Sequence, residues 1–302
     1  MSTANDVLSV SDQVRAAFNF EVPKVAWGPV NVDQGWKTDN NTFRLHRNDT
    51  GEVIGRPVTT KYVPHTTDDV VAIVEAAQTA FDEDVTATCH FNEGHYVNVC
   101  PSDDTRRSVF GTKDNIFPRM IVHAGYDGKS FKATLGFYRD ACDNLSMLRK
   151  VSGTTVSIRH TSQLRDKMSE LIRTLSHLRN SWDSITEVVD HMENRTVRMH
   201  NFLAACYPAP LEDAAGREKT IHTNRIKAIF KRLEDERILT GRGLLSANYD
   251  VTGWEAYNAV QGWEQHVKSA NVGSTDFDRI IRAARRGKDD KVGLAEELAL
   301  TM

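Results

Sequence analysis

The stretch from Lys129 to Met192 decides the predicted fold, and it reads KSFKATLGFYRDACDNLSMLRKVSGTTVSIRHTSQLRDKMSELIRTLSHLRNSWDSITEVVDHM. Its first part holds three short β-type runs, Phe131–Tyr138, Ala141–Leu148 and Thr154–Arg159. From Leu164 onward, apolar residues recur every three or four positions as far as Met192, which predicts one amphipathic helix of about thirty residues and roughly 45 Å. The stretch therefore predicts three strands that lead into a long helix.

The part of this stretch up to Arg179 is basic, although the chain as a whole is slightly acidic. From Lys129 to Arg179 there are ten Lys/Arg and four Asp/Glu, whereas residues 1–104 carry seven Lys/Arg and sixteen Asp/Glu. The formal net charge of the whole chain is −3. One basic block in a nearly neutral protein is compatible with contact to a polyanion. This charge asymmetry is the one feature of the sequence that points towards a partner.

Size and composition place the chain among ordinary globular proteins. Its 302 residues are 40% hydrophobic and 26% charged, which is enough for one large domain or two ordinary ones. No apolar run approaches the roughly 20 residues that span a bilayer, and the first 18 residues lack the apolar run of a signal peptide. The four cysteines lie far apart, as in a protein with reduced thiols. We therefore expect a protein of the bacterial host cytoplasm that does not contact a membrane.

The pattern along the chain predicts an α+β fold. It consists of an N-terminal antiparallel β-rich domain with one short helix, then the three strands and the long helix, then a helical C-terminal part. Turn signals at Asn48–Gly51 and Asn92–Gly94 each predict a hairpin. The predicted segments are an N-terminal segment over residues 1–40, a core domain over 41–205 and a helical region over 206–302.

The remaining predicted elements follow from the same periodicities. The predicted strands cover residues 42–46, 53–54, 58–63, 85–91, 95–100 and 118–124. The predicted helices cover residues 69–81, 224–238, 253–268 and 277–286, followed by a charged tail. Residues 1–40 and 101–112 are predicted to be loop-like.

Candidate catalytic and metal-binding groups are few. Cysteine and histidine lie on both sides of one predicted hairpin, at Cys89, His90, His95 and Cys100, but structural zinc sites prefer closer spacings of paired ligands. A nucleophilic pair of Cys142 with His160 or His123 stays open, although no glycine turn or helix start marks Cys142. The phosphate-binding glycine motifs are absent. We therefore predict no metal, no cofactor and no catalytic residue, with the cysteines facing the sheet interior and the histidines facing out.

The basic block supplies a candidate nucleic-acid surface. Lysine and arginine side chains neutralise phosphates, and an exposed aromatic ring stacks on an unpaired base. Strand alternation places Phe131 and Phe137 on the face opposite Lys132 and Tyr138, so Tyr138 alone of these aromatics is expected beside the charges. The predicted nucleic-acid-binding residues are Lys129, Lys132, Tyr138, Arg139, Arg149, Lys150, Arg159 and His160.

Several motifs in order resemble one known family. The motifs are Asn48–Gly55, Lys61–Pro64, Gly136–Leu145, Ser157–Thr161 and Gly253–Val260. Together they resemble the phage/plasmid-like protein family that is defined by a domain of unknown function, over about residues 40–285. Family members often carry an Asn-Ser-His-Asp-Gly-like turn where this chain has His123–Gly128. The resemblance implies a gene carried by phages or mobile elements, in the company of replication and recombination genes, and it brings no catalytic residues.

The predicted topology also resembles, at the level of strand and helix order alone, phage single-strand annealing proteins of the Rad52 and Red-beta kind. In those folds a basic groove between sheet and helix holds a DNA strand, so the leading hypothesis is a non-enzymatic protein that binds or anneals single-stranded DNA in replication or recombination. One alternative is an interaction or assembly factor that docks through Trp254, Tyr257 and Trp263. A second alternative is an enzyme that acts on nucleic acids or nucleotides. Self-association and contact with phage or host replication and recombination proteins stay open.

Overall fold

A computed structural model describes residues 9–26, 42–81, 84–101, 106–109, 112–126, 130–139, 145–146, 155–161, 163–175, 178–268 and 290–302. Helices and antiparallel strands are both abundant, so the predicted α+β class is confirmed. The chain forms two compact units that alternate along the sequence. The first unit comprises residues Met1–Asp104, Arg119–Leu135 and Thr155–Asn180, and the second comprises Thr105–Pro118, Gly136–Thr154 and Ser181–Met302. The predicted segment boundaries at residues 40/41 and 205/206 stay predictions.

The described residues of the first unit form two antiparallel sheets and three helices. Its helices are α1 (Val10–Ala17), α2 (Thr67–Phe81) and α3 (Leu164–Leu175). A three-stranded sheet is formed in the order β1-β2-β3 by Lys24–Ala26, Thr42–His46 and Val53–Thr59. The larger sheet has the strand order β10-β8-β7-β5-β4, with β4 at Val85–Phe91, β5 at Gly94–Pro101, β7 at Asn115–Gly125, β8 at Phe131–Arg139 and β10 at Thr155–Ile158. The unit division falls inside β7 and β8.

Both predicted hairpins are confirmed. Strands β2 and β3 pair antiparallel around Gly51, whose φ of +71° is the left-handed conformation that glycine adopts without strain. Strands β4 and β5 pair from Phe91 opposite His95 to Val85 opposite Pro101. The separate strand predicted at residues 58–63 is wrong, because β3 continues without interruption to Thr59.

Helix α2 begins and ends close to its predicted limits, whereas α3 begins where the long helix was predicted to begin but ends at Leu175. Helix α2 buries the apolar side chains that predicted it, namely Val70, Val71, Ile73, Val74, Ala77 and Phe81. Helix α1 and strand β1 lie in a region predicted to be loop-like, so that prediction is wrong for residues 10–17 and 24–26. Ser9 caps α1 by accepting a hydrogen bond from the Asp12 amide at 3.1 Å, and Val10 and Val14, one helical turn apart, are buried. Because this apolar stripe consists of two residues, its spacing was too short to predict a helix.

The second unit is mostly helical. Its helices are α4 (Leu178–Glu193, of which residues 181–193 belong here), α5 (Met199–Cys206), α6 (Gly216–Leu239), α7 (Gly253–Gly262) and α8 (Asp290–Thr301), and a π-helical turn, Trp263–Val267, follows α7. Strand β11 (Thr196–Arg198) pairs with β12 (Asp250–Thr252). Short strands β6 (Arg107–Ser108) and β9 (Leu145–Ser146) pair with β7 and β8 respectively. Helix α6 begins eight residues before its predicted start, and the predicted charged tail is the helix α8. The helix predicted over 277–286 lies outside the described residues.

Helix α7 forms the centre of the second unit. All ten of its residues are buried. Thr252 and Glu255 form a capping box at its start, in which each side chain bonds the backbone amide of the other residue. A Cβ atom on Gly253 would lie 2.6 Å from the Ala299 carbonyl oxygen, so only glycine lets α7 approach α8 this closely.

The predicted long helix is described as two helices, α3 and α4, and residues 176–177 between them lie outside the described residues. The unit division falls just after Asn180, so α3 belongs to the first unit and most of α4 to the second. In α4 the predicted apolar stripe is buried at Trp182, Ile185, Val189 and Met192. No helix in the described part of the chain is both long and apolar enough to cross a bilayer.

Candidate nucleic-acid interface

A polar strip lies on the outer face of strands β8 and β10 in the first unit. We call it the Lys132–Arg159 strip, and it consists of Ser130, Lys132, Thr134, Ser157 and Arg159. Lys132 pairs in register with Ser157, and the Ser157 hydroxyl donates to the Ser130 hydroxyl at 2.7 Å. Ser157 and Arg159 are exposed, whereas the other three residues are half-buried. The two segments that form the strip, residues 130–135 and 155–161, contain no Asp or Glu. The strip therefore presents cations and hydroxyl groups, and these segments add no carboxylate to it.

The opposite face of the same strands belongs to the core. Phe131, Ala133, Leu135 and Ile158 alternate with the strip residues and are at most 4% exposed. This alternation confirms the predicted faces of β8 and follows from the two-residue period of a strand. His160 is also buried, at 6% exposed, and its ring stacks on Tyr62 at 5.0 Å between centroids. A buried imidazole is not placed to contact phosphate, so His160 is removed from the predicted set.

His160 belongs to a buried cluster of histidine and aromatic rings in the first unit. At its centre His65 stacks on Tyr126 at 4.2 Å, and the His65 and His160 ring centroids are 5.2 Å apart. His65 Nε2 and His95 Nδ1 are 2.9 Å apart and share one hydrogen bond. The outer nitrogens of this pair, His65 Nδ1 and His95 Nε2, are buried without a hydrogen-bond partner among the described residues.

Burial keeps the two hydrogen-bonded histidines neutral. Desolvation lowers the pKa of His65 well below its ordinary value, and the neighbouring His95, His160 and His123 lower it further. Desolvation lowers the pKa of His95 to about 3, with a smaller contribution from the Arg47 charge. Since a neutral, enclosed imidazole neither binds phosphate nor exchanges protons readily with solvent, we interpret this cluster as part of the core of the first unit.

Arg139 is buried in the second unit and is ion-paired. Its Nε and Nη2 donate to Asp114 Oδ2 at 2.8 and 2.6 Å, and its Nη1 donates to Glu236 Oε2 at 2.9 Å. Trp254 Nε1 donates to the same Asp114 oxygen at 3.1 Å. Arg139 is 3% exposed, so the predicted contact with phosphate is wrong for this residue. The guanidinium instead holds two buried carboxylates together.

The structure describes three of the remaining predicted contact residues, Lys132, Arg159 and Tyr138. Lys132 lies in the middle of the strip, opposite Ser157, and Arg159 lies at the end of the strip that holds Ser130. Tyr138 is half-buried on β8, in the second unit, opposite Leu145 in register. Three of the predicted cations, Lys129, Arg149 and Lys150, lie outside the described residues.

The cysteine and histidine candidates that the structure describes are not brought together into a metal-binding group. Cys89 and Cys100 lie on opposite faces of the β4–β5 hairpin, so the prediction that both face the sheet interior is wrong. His95 is buried, so the prediction that the histidines face out is wrong for that residue. Among the described residues, no group of three or more His, Cys, Asp or Glu side chains could hold a metal ion. Burial raises the pKa of the Cys89 thiol to about 11 and that of Cys206 to about 12, which disfavours the nucleophilic thiolate. Cys142 lies outside the described residues.

The aromatic docking face proposed as an alternative is not on the surface. Trp254 is 1% exposed, Tyr257 is fully buried and Trp263 is 8% exposed. Trp254 packs near Phe137, with ring centroids 5.7 Å apart. These aromatics therefore form the core of the second unit, which is where large rings are most often found.

Helix α6 carries a cationic surface that the sequence reasoning missed. Residues 217–232 contain six Lys/Arg and one Asp/Glu. A charge count over residues 180–302 as a whole is −2 and conceals this run. A count over one predicted helix at a time would have found it.

Comparison with known proteins gives a family but no function. No curated protein and no solved structure matches this chain. A family model described as "Domain of unknown function (DUF932)" matches residues 56–298. The match includes the Gly136–Leu145 and Gly253–Val260 motifs, and in the second unit Arg139 and Trp254 from these two motifs meet at Asp114. Since the match covers well over half of its length, the chain belongs to this family of domains of unknown function.

Proposed function

We propose that this protein binds single-stranded DNA without catalysing a reaction on it, and that it acts in the DNA metabolism of a phage or mobile element in the cytoplasm of a bacterial host. The observation that carries the proposal is the Lys132–Arg159 strip, where two cations and three hydroxyl groups share one face of two paired strands. Lysine and arginine release counterions when they neutralise phosphates, and serine and threonine hydroxyls donate to phosphate oxygens.

Strand annealing in replication or recombination is the specific activity that we propose. Its support is the order of elements β8, β9, β10 and α3, in which an antiparallel sheet precedes an amphipathic helix. Helix α3 lies in the first unit, as the strip does, and its Lys167 and Arg173 side chains are exposed. Tyr138 remains the proposed stacking residue, and Lys129, Arg149 and Lys150 remain proposed phosphate contacts.

The proposal can be tested by measuring the affinity of the full chain for a fluorescently labelled oligothymidylate by anisotropy. The test variant is K132E/R159E, which reverses both cations of the strip. A matched control is R56E/K61E, because Arg56 and Lys61 are also exposed cations of the first unit but lie outside the basic block. Both variants lower the net charge by the same amount, so a difference between them reports position and not overall charge.

We expect K132E/R159E to weaken binding at least tenfold at about 50 mM salt, because two phosphate contacts are lost, and we expect the control to stay within a few-fold of the wild type. Circular dichroism checks that both variants are folded. Equal losses in the two variants would show that only net charge matters. Absence of binding by the wild type at low salt would refute the function itself.

A further inference from the structure

Helix α6 of the second unit presents cations along an exposed face. The helix is 24 residues long, and the residues of its first two turns are almost all exposed. At 100° per residue, five of its residues fall within an arc of about 80° and extend over about 21 Å of the helix axis. We call them the α6 cationic face: Arg217, Thr220, Asn224, Lys227 and Lys231. All five are exposed.

The other cations of α6 are engaged within the protein. Arg225 lies over the rings of Tyr207 and Trp263, at 4.9 and 5.3 Å from the centroids. Arg232 pairs with Glu236 at 2.9 Å. Lys227 and Lys231, in contrast, form no ion pair with any residue that the structure describes. The two lysines that remain available are therefore four residues apart on the outer face.

The apolar residues of α6 form no continuous exposed face beside these cations, because the exposed ones, Ile221, Ile238 and Leu239, lie towards the two ends of the helix. Ile229 and Leu233 are at most 1% exposed, and they lie on the side of the helix that packs into the second unit. A helix that binds a membrane surface presents an apolar face next to its cations, which is not the case here. Exposed Glu234 and Asp235 follow Lys231 and mark where the positive face ends. Cations with neighbouring amide and hydroxyl groups suit a hydrophilic polyanion.

We infer that the α6 cationic face binds the phosphate backbone of single-stranded nucleic acid. Lys227 and Lys231 each neutralise one phosphate, and residues four apart on a helix have their Cβ atoms about 5–6 Å apart, close enough to serve a single strand. Asn224 extends the contact towards Arg217, and Thr220 lies between them with its hydroxyl donating to the Gly216 carbonyl oxygen at 2.9 Å. This inference rests on the proposed function and assigns it a second contact surface, in the second unit.

The test neutralises the two lysines in K227Q/K231Q and measures oligothymidylate affinity between about 50 and 200 mM salt. Loss of two phosphate contacts reduces the slope of log affinity against log salt by about 1.4 and weakens binding at least tenfold at the low-salt end. The control R56Q/K61Q removes two exposed cations of the first unit and leaves the slope unchanged. Glutamine keeps the helix intact, because its helix propensity is close to that of lysine.

The possible outcomes separate this inference from the proposed function. A wild-type protein that fails to bind at low salt overturns both. Wild-type binding together with an unchanged slope in K227Q/K231Q overturns the role of α6 and leaves the function standing. Vesicles of anionic phospholipid provide a third arm: binding to them that depends on Lys227 and Lys231, with oligonucleotide binding unaffected, would assign the face to lipid and overturn the inference.

Discussion

Replacing Arg139 by methionine removes the cation that two buried carboxylates share. Asp114 and Glu236 are 1% and 6% exposed, so neither can be solvated by water when the guanidinium is gone. Glu236 keeps Arg232 at 2.9 Å, whereas among the described residues the Asp114 carboxylate keeps only the indole N–H of Trp254. Breaking a buried ion pair from one side costs about 3–5 kcal/mol. The free energy of unfolding of a typical domain is about 5–15 kcal/mol, so R139M should lose a large part of it.

Urea unfolding followed by circular dichroism measures this loss. With a slope of about 2 kcal/mol per molar urea, the midpoint of R139M should fall by about 2 M. The double variant R139M/D114N should recover part of the loss, because asparagine carries no charge and its side-chain oxygen can still accept from Trp254. If R139M unfolds at the wild-type urea concentration but binds oligothymidylate tenfold more weakly, Arg139 is a surface phosphate contact and the buried ion pair is refuted.

Two further predictions concern the core of each unit. The pKa values of His65 and His95 in the folded state lie below the value of about 6.5 in the unfolded state, so the folded state binds fewer protons. The folded state is therefore fully stable above about pH 6.5. Below that pH, the free energy of unfolding falls by about 1.4 kcal/mol per pH unit for each of the two histidines. Urea unfolding midpoints at pH 7 and pH 5 measure this loss of stability, and the H95F variant should lose less stability between the two pH values than the wild type. A wild-type midpoint that is the same at both pH values would contradict the prediction. In the second unit, G253A should lower the thermal midpoint by several degrees because its methyl group meets the Ala299 carbonyl, whereas G216A, in open space, should not; equal midpoints would contradict the close approach.

Local signals in the sequence predicted the strands and turns well. The Asn48–Gly51 and Asn92–Gly94 turns are decided by residues next to one another, and both hairpins are present. The two-residue alternation in Phe131–Tyr138 correctly separated the buried face of β8 from its outer face. The apolar spacing of α2 likewise predicted a helix whose stripe is buried.

Contacts between distant residues could not be predicted in this way. Arg139 looked like a surface cation because its two carboxylate partners lie 25 and 97 residues away in the sequence. His160 looked exposed for the same reason, since Tyr62 and His65 approach it only in the folded unit. The cationic residues of α6 lie close together in the sequence, but a net charge counted over residues 180–302 includes enough carboxylates to conceal them.

The most direct test of the proposed function is the affinity of the wild-type protein for an oligothymidylate as a function of salt. Two phosphate contacts from the Lys132–Arg159 strip and two from the α6 cationic face predict a slope of log affinity against log salt at least as steep as about −2.8, and the proposed contacts of Lys129, Arg149 and Lys150 make it steeper. Binding that is measurable at about 50 mM salt and weakens with at least this slope as salt is raised would support the proposed binding of single-stranded DNA. No binding at 50 mM salt or below, or an affinity that does not change with salt, would contradict it.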